Sequence, residues 1–401
     1  MKILVLNCGS SSIKYKLLDM TNTSTIASGV MEKIGLKGAF LKHENAGQEK
    51  IKLEGEVLDH DLGIEYIMGV MLDPKIGCIA SLDEIDAIGH RVVHGGEAFK
   101  GSVLIDKDVI AQIEKCIDLA PLHNPPNLKG IYAVSALMPD KPQVGVFDTA
   151  FHQTMPPHAY MYGIPKRLYE KYKVRRYGFH GTSHRYVSQH VCQFLGLDYH
   201  KTRIVNCHLG NGGSICAIDH GKSVDTSMGF TPVEGLLMGT RAGDLDIGAV
   251  TYIMDKEKID IKTTMTLFNK HSGLLGISGI SSDAREVEYA AYNEGNEDAL
   301  LALKIFQYRV KKYIASYMAA MGGCDVITFT GGIGENSDKD REAICKDMEF
   351  MGIKLDKAKN DGQRGKDAII SADDSPVKIC VIPTEEELTI ANQTALVLSK
   401  Q

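Results

Sequence analysis

Hydrophobic positions in this chain gather into short runs that break at small polar turns. Residues 2–6 are apolar enough for a buried strand, residues 7–12 form a polar turn, and residues 13–18 are a second strand candidate with Lys14 near the turn. Two strands joined through Gly9 and small side chains predict a hairpin. Its tip exposes backbone N–H groups and hydroxyls, and with a lysine beside it such a tip suits a phosphate. The plan returns in the second half of the chain. There the apolar run 203–207 meets the turn His208-Leu209-Gly210-Asn211-Gly212-Gly213, and a strand resumes over 214–218. A third glycine turn, Thr330-Gly331-Gly332-Ile333-Gly334-Glu335-Asn336, follows the run 325–329. One hairpin per half and a late strand with a Gly-Gly turn is the layout of a nucleotide clamped between two similar domains.

Between these landmarks the periodicity alternates. Residues 25–30 and 51–53 read as strands around a charged, glycine-containing loop. Residues 59–72 have helical spacing, and 85–93 read as a strand leading into His94-Gly95-Gly96. Residues 106–119 predict an amphipathic helix, with Val109, Ile113, Cys116 and Ile117 on one face. The segment 121–126, with three prolines, reads as a rigid loop. A helix over 127–138 and a strand over 143–147 ending at Asp148 complete an α/β pattern. A loop-rich crossing after residue 150 marks a domain boundary. Helices follow over 183–195, 260–269, 284–293 and 296–321. The last carries apolar residues at steps of three and four, from Ala299 through Leu303, Phe306 and Val310 to Tyr313, Tyr317 and Met321. A strand over 377–382 precedes Thr384-Glu385-Glu386-Glu387, where Thr384 and Glu387 fit a capping box.

Composition narrows the classes. With 401 residues the chain has length for two to three domains, and 44% hydrophobic and 24% charged residues are ordinary for a globular protein. A net charge of −6 and a pI near 6.2 argue against nucleic acid as a partner. No apolar stretch approaches the ~18 residues of a membrane span, and the N-terminal run is too short for a signal peptide. Nine scattered cysteines without a C-x-x-C pair fit reduced thiols in a cytoplasm. Cys8 and Cys207 read as small packing residues.

Phosphate-binding fingerprints are missing. Gly221-Lys222-Ser223 has Cys216 where a P-loop needs glycine, and Gly210, Gly212 and Gly213 precede a strand rather than a helix. Phosphate contacts therefore fall to the hairpin tips and the Gly331-Gly332 turn. Arg91, Arg241 and Arg285 stand where strands and glycine turns end, so that a phosphate or carboxylate can reach their guanidinium forks. His180 and His184 are spaced i, i+4, but Gly181 replaces the glutamate of a zinc protease motif. The spacing places His180 on a loop, with the helix capped at Thr182-Ser183. Asp148 ends a strand, where α/β active sites lie. There it has three possible tasks: holding a magnesium-bound water, orienting an arginine, or acting as a base.

These residues together resemble one family, the acetate kinases, in the acetate/butyrate kinase group of the sugar kinase–actin–Hsp70 superfamily. The resemblance runs the length of the chain. It rests on NCGSSSIK at 7–14, GHRVVHGG at 89–96, APLHNPPN at 120–127, FDTAFH at 147–152, YGFHGTSH at 177–184, HLGNGGS at 208–214, GLLMGTRAGDLD at 235–246, SDAR at 282–285 and FTGGIGENS at 329–337. It implies a two-domain α/β fold of the actin-like ATPase, ribonuclease H-like kind, with a duplicated βββαβαβα core and a cleft between domains. Residues 1–150 with the C-terminal helix 385–401 would form the acetate domain, and 151–384 the nucleotide-binding domain. It also implies a cytoplasmic homodimer.

The implied reaction is the reversible transfer of a phosphoryl group from magnesium-bound ATP to acetate, giving ADP and acetyl phosphate. By resemblance, Asn7 and Glu386 look like magnesium ligands, with manganese as an alternative ion. Lys14, Ser10, Ser12, His208, Leu209, Gly210, Asn211, Gly212, Asp283, Ala284, Arg285, Gly331, Gly332, Ile333, Gly334 and Glu335 look like nucleotide contacts. Arg91 resembles the acetate-binding arginine, and Val93, Leu122, Phe179 and Pro232 the pocket around its methyl group. Asp148 matches the essential acid, and His180 and Arg241 the transition-state stabilisers. The family's usual Thr-Asn-Glu-Glu before the last helix is Thr384-Glu385-Glu386-Glu387 here, and the capping box assigns Glu387 a structural task. A carboxylic acid of pKa ~4–5 is already ionised at neutral pH, so the chemistry needs cations rather than a base. On that argument Asp148 positions magnesium or its water. The rivals are a propionate or butyrate kinase, a sugar kinase with Asp148 as true base, and an actin- or Hsp70-like ATPase switch.

Overall fold

The structure, a computed structural model, describes residues 1–400. They divide into two compact units, one of residues 1–151 and 385–400, the other of residues 152–384. The first unit is built on an eight-stranded sheet. Its strands are β1 (Lys2–Cys8), β2 (Ser12–Asp19), β3 (Ser24–Glu32), β4 (Phe40–Asn45), β5 (Ile51–Glu54), β6 (Ala87–Val92), β7 (Val103–Leu104) and β8 (Gln143–Phe147). They lie in the order β5-β4-β3-β2-β1-β6-β8-β7. The second unit has six: β9 (Arg203–His208), β10 (Ser214–Asp219), β11 (Lys222–Thr226), β12 (Val326–Thr330), β13 (Ala368–Ile369) and β14 (Lys378–Val381), ordered β11-β10-β9-β12-β14-β13.

The repeat predicted from two hairpins extends to five strands. In the first unit β1 pairs antiparallel with β2, β2 antiparallel with β3, and β1-β6-β8 run parallel. In the second, β9 pairs antiparallel with β10, β10 antiparallel with β11, and β9-β12-β14 run parallel. A central parallel strand is covered on both faces, so it reads as a continuous apolar run rather than an alternating one. In β1, Leu4 and Leu6 pack with Ile64, Ile67 and Met68 of the helix His60–Leu72, while Ile3 and Val5 pack with Ile390 and Ala391 of the C-terminal helix Glu386–Leu398.

Several local expectations fail for identifiable reasons. The first turn is shorter than the polar run, because Asn7 and Cys8 stay in β1 and pair with Lys14 and Ile13. The supposed loop between β3 and β5 contains β4, whose buried Leu41 and His43 were masked by charged neighbours. The proline-rich segment is not all loop. A helix starts at Asn124 with Pro125 and Pro126 in its first turn, where a missing N–H costs nothing. The helix expected to be capped at Thr182-Ser183 starts at Gly181, after His180 in a left-handed conformation. The third glycine turn is a helical segment, Gly331–Asn336, entered through Gly331 at φ +77°. A side chain at Gly331 would meet the Leu209 backbone at 2.7 Å. The capping box is absent: the Thr384 N–H donates to Glu335, and Glu385 occupies the cap position without a side-chain bond. Among the described residues no helix is long and apolar enough to cross a membrane.

The C-terminal helix approaches β6 at Gly89, where an added Cβ would lie 2.5 Å from Thr394 Oγ1 and 2.8 Å from Ile390 Cγ2. Gly89→Ala is therefore expected to lower stability by ~1–3 kcal/mol through overpacking. Denaturant unfolding measures this, and an unchanged midpoint would contradict the close packing.

Candidate active site

Each unit gathers polar chemistry at the carboxyl ends of its parallel strands, where α/β folds leave backbone and side chains open to ligands. In the first unit Asn7 comes from β1, Arg91 from β6, and Asp148 follows β8. Arg91 Nε donates to both Asp148 oxygens at 3.2 and 3.1 Å, and Nη2 donates to Oδ2 at 2.6 Å. Nη1 reaches Asn7 Oδ1 at 3.4 Å. Asp148 is 1% exposed. Burial pushes the Arg91 pKa down, but Asp148 and then Glu386 push it up by more, leaving it above its ordinary value. Orienting an arginine is one of the three tasks open to Asp148, and these bonds display it.

Glu386 opens the C-terminal helix beside this pair. Burial raises its pKa; Arg91 and Lys14 oppose that, while Asp148 and Glu387 add to it. Lys14 stands opposite Asn7 in the β1–β2 register. Glu385 and Glu387 lie 3.6 and 3.9 Å from Lys16. With the capping box gone, Glu387 loses the bond that was to exclude it from metal binding. Ser10 is exposed and Ser12 half-buried at the hairpin tip, which is tied down by His60 Nε2 on the Gly9 carbonyl at 2.6 Å.

Two residues in a quoted motif had been given no task. Asn127 Oδ1 accepts from the Val93 N–H and its amide donates to the Cys8 carbonyl, at 3.0 and 2.8 Å. Asn124 Oδ1 accepts from the His94 N–H at 3.1 Å and its amide donates to the His94 carbonyl at 3.0 Å. Together they hold the segment after β6 against the end of β1. The only sequence signal was two asparagines flanking Pro125-Pro126.

In the second unit Arg241 lies in a loop pinned by backbone bonds from Gly239 to Asn211 and from Ser272 to Thr240. Burial lowers its pKa from the usual arginine value, and among the described residues no carboxylate pairs with it. A side chain at Gly212 would start 3.2 Å from Arg241 Nη1 and 3.8 Å from His180 Nε2. The space above Gly212 is thus bounded by a guanidinium and an imidazole. His180 holds φ +56°, an unusual conformation for a residue with a side chain. Its ring stacks on His208, centroids 4.3 Å apart. His184, buried, bonds Ser214 and Asn206.

A cavity of about 820 Å³ opens beside Gly210 and Asn211. Asp283, Ala284, Arg285, Gly332 and Ile333 also line it, as do Ser282, Glu288, Asn336, Ser337 and Arg364, which the sequence reading did not select. Arg364 follows no motif and could not have been found by pattern. Asp283 caps the helix Ala284–Asn293 and pairs with the exposed Arg285 at 2.6 Å. Gly334 and Glu335 do not line the cavity: Glu335 Oε1 accepts from the N–H groups of Gly331 and Thr384 instead. The methyl-pocket candidates divide between units. Val93 and Phe179 are buried, Pro232 is half-buried and Leu122 is 56% exposed.

The sequence model of the Acetokinase family matches residues 2–392. The chain belongs to the acetokinase family. Acetate kinases of Bacteroides thetaiotaomicron and Phocaeicola vulgatus are each 61% identical over 400 residues, covering the whole of both chains. The crystal structure of Porphyromonas gingivalis acetate kinase superposes with a TM-score of 0.95 at 56% identity, covering 99% of each chain. A propionate kinase from Francisella tularensis gives 0.92 at 42% identity, again over 99% of each chain. The two-sheet α/β architecture is therefore the acetokinase fold, and the chain is a phosphotransferase with a carboxyl acceptor.

Glu386 gives this acetokinase site a measurable signature. A carboxyl whose pKa is raised by folding adds stability below the ordinary glutamate pKa and loses it as pH rises through the folded value. Glu386→Gln removes that titration. The variant is expected to melt above the wild type at neutral pH, the gap closing toward about pH 4, while turnover falls. Equal melting temperatures at both pH values would contradict the raised pKa.

Proposed function

We propose that the chain transfers the γ-phosphoryl group of ATP to acetate, reversibly, giving acetyl phosphate and ADP by direct in-line displacement. The observation that carries this reading is Arg91, fixed by the fork of bonds to Asp148. A guanidinium held in one orientation can present a carboxylate acceptor with its attacking oxygen aimed. The acceptor is an anion and needs no base, so Asp148 serves by holding Arg91. The cavity beside Gly210, Asn211 and 282–285 takes the adenine nucleotide. Arg241 and His180 bind the equatorial oxygens of the phosphoryl group as charge shifts among them.

The donor set fits magnesium. Asn7 offers a carbonyl oxygen and Asp148 and Glu386 offer carboxylates, hard ligands of the kind this ion takes one or two of while keeping waters and phosphate oxygens. Among the described residues no cluster of three or more His, Cys, Asp or Glu could hold a metal by itself. Bound there, the ion supplies positive charge to the phosphate oxygens. The ion, whether magnesium or manganese, and its ligands are part of the proposal.

Propionate kinase shares the fold, so the fold does not separate the two acceptors. One methylene is worth only ~1–3 kcal/mol in such a pocket, and acetate is favoured here by the names of the relatives at 61% identity. Hydroxylamine trapping with ATP and acetate, propionate or butyrate is expected to give most acyl phosphate from acetate. Steady ATP hydrolysis with no acyl phosphate would overturn the reading in favour of a switch. Arg91→Ala is expected to raise the acetate KM and cut kcat by about 10²–10³-fold, the scale of losing one aimed electrostatic group.

A homodimer is supported by the helices Ile247–Glu257 and Ile261–Lys270, where Ile247, Tyr252 and Ile261 are 78%, 64% and 73% exposed. Sedimentation equilibrium is expected to give twice the chain mass, and a monomer at micromolar concentration would remove this part.

A further inference from the structure

We propose that a buried chain of hydrogen bonds, Thr328–Asn206–His184–Ser214, sets the tautomer of His180, so that its imidazole presents Nε2–H toward the space beside Arg241 without having to be charged. His184 and Ser214 are then positioning residues. The inference rests on the phosphoryl-transfer reading for its purpose but not for its geometry.

The direction of the chain follows from what each atom can do. Thr328 Oγ1 donates to Asn206 Oδ1 at 2.6 Å, which turns the Asn206 amide nitrogen toward His184 Nδ1 at 2.8 Å. An amide nitrogen only donates, so His184 Nδ1 must accept. Burial holds the His184 pKa well below its ordinary value, with His152 and His208 adding to the effect. The ring is neutral, and its single N–H is on Nε2, which donates to Ser214 Oγ at 2.7 Å. Ser214, 0% exposed, has one hydrogen left to give, and His180 Nδ1 is 2.9 Å away. Nδ1 of His180 therefore accepts, and the proton of the neutral ring is on Nε2. That nitrogen lies 3.8 Å from the side-chain origin at Gly212, with Arg241 Nη1 at 3.2 Å from the same point.

A second chain has the same polarity. Thr384 Oγ1 donates to Ser183 Oγ at 2.8 Å, leaving the Ser183 hydrogen for His208 Nδ1, also at 2.8 Å. His208 stacks on His180, the ring planes 29° apart, so two stacked rings each receive a serine hydroxyl on Nδ1 and carry their proton on Nε2. The arrangement answers an electrostatic difficulty. Charging an imidazole beside an arginine that no carboxylate balances is unfavourable, whereas a neutral imidazole of the right tautomer still donates to a phosphoryl oxygen.

Long-range proton–nitrogen NMR of histidine-labelled full-length protein without substrates tests this. His180 peaks are assigned by their loss in His180→Asn. The expected pattern is an unprotonated Nδ1 and a protonated Nε2 for both His180 and His184. A wild-type His180 protonated on Nδ1 would overturn the proposal whatever reaction the enzyme catalyses. Ser214→Ala is expected to mix the His180 tautomers and lower kcat about tenfold, the scale of one lost hydrogen bond, with the nucleotide KM unchanged. Ser214→Thr, which keeps the hydroxyl, is expected to restore the single tautomer. A Ser214→Ala protein with an unaltered His180 spectrum would also overturn it. Failure to form acyl phosphate would leave these spectra in place and count against the proposed reaction alone.

Discussion

A guanidinium taken partly out of water without a counter-charge is costly, and the second unit keeps one. Burial alone accounts for the lowered pKa of Arg241, and its loop is held by backbone bonds to Asn211 and Ser272 rather than by an acid. In the proposed reaction an incoming anion supplies what the unit withholds. The first unit solves a different problem with the same residue type. Arg91 is balanced by Asp148, which fixes its orientation; in the proposed reaction its outward N–H groups hold the carboxylate acceptor. One arginine carries its charge unbalanced and the other is aimed by a carboxylate.

Both arginines depend on the repeated five-strand plan. In each unit the hairpin is antiparallel and the neighbouring strands are parallel, so strand carboxyl ends and a hairpin tip meet at one edge. Apolar residues on both faces of β1 make that edge rigid, with Leu4 and Leu6 under one layer of helices and Ile3 and Val5 under the C-terminal helix. The same helix brings Glu386 to the pair, and Gly89 lets it come close enough. Core packing and site geometry are therefore one construction in the first unit.

Polar order in the second unit runs deeper than the surface of the site. Asn206 and Thr328 are wholly buried in adjacent parallel strands, and their bonds reach His180 through His184 and Ser214. Buried groups must find partners, and a closed chain of partners has a direction. That direction is information the site can use, because it decides which imidazole nitrogen carries a proton.

Much of this was legible in the residues themselves. Strand 2–6, the hairpins and the helix Ala284–Asn293 follow from short-range patterning, since burial on two faces and tight turns each leave a local trace. Arg91, Asp148, Asn211 and Arg241 stood out for the same reason, polar or charged residues where apolar runs and glycine turns end. What the sequence could not decide were matters of distance. β4 hid behind its charges because strand pairing supplies hydrogen bonds that propensity cannot see. Thr384 looked like a cap until Glu335, far away in the chain, took its N–H. Arg364 joins the cavity without any motif. The pairing of Arg91 with Asp148 and the polarity of the bonds reaching His180 exist only once strands distant in sequence lie side by side, because a hydrogen bond needs both partners in place before either has a defined orientation.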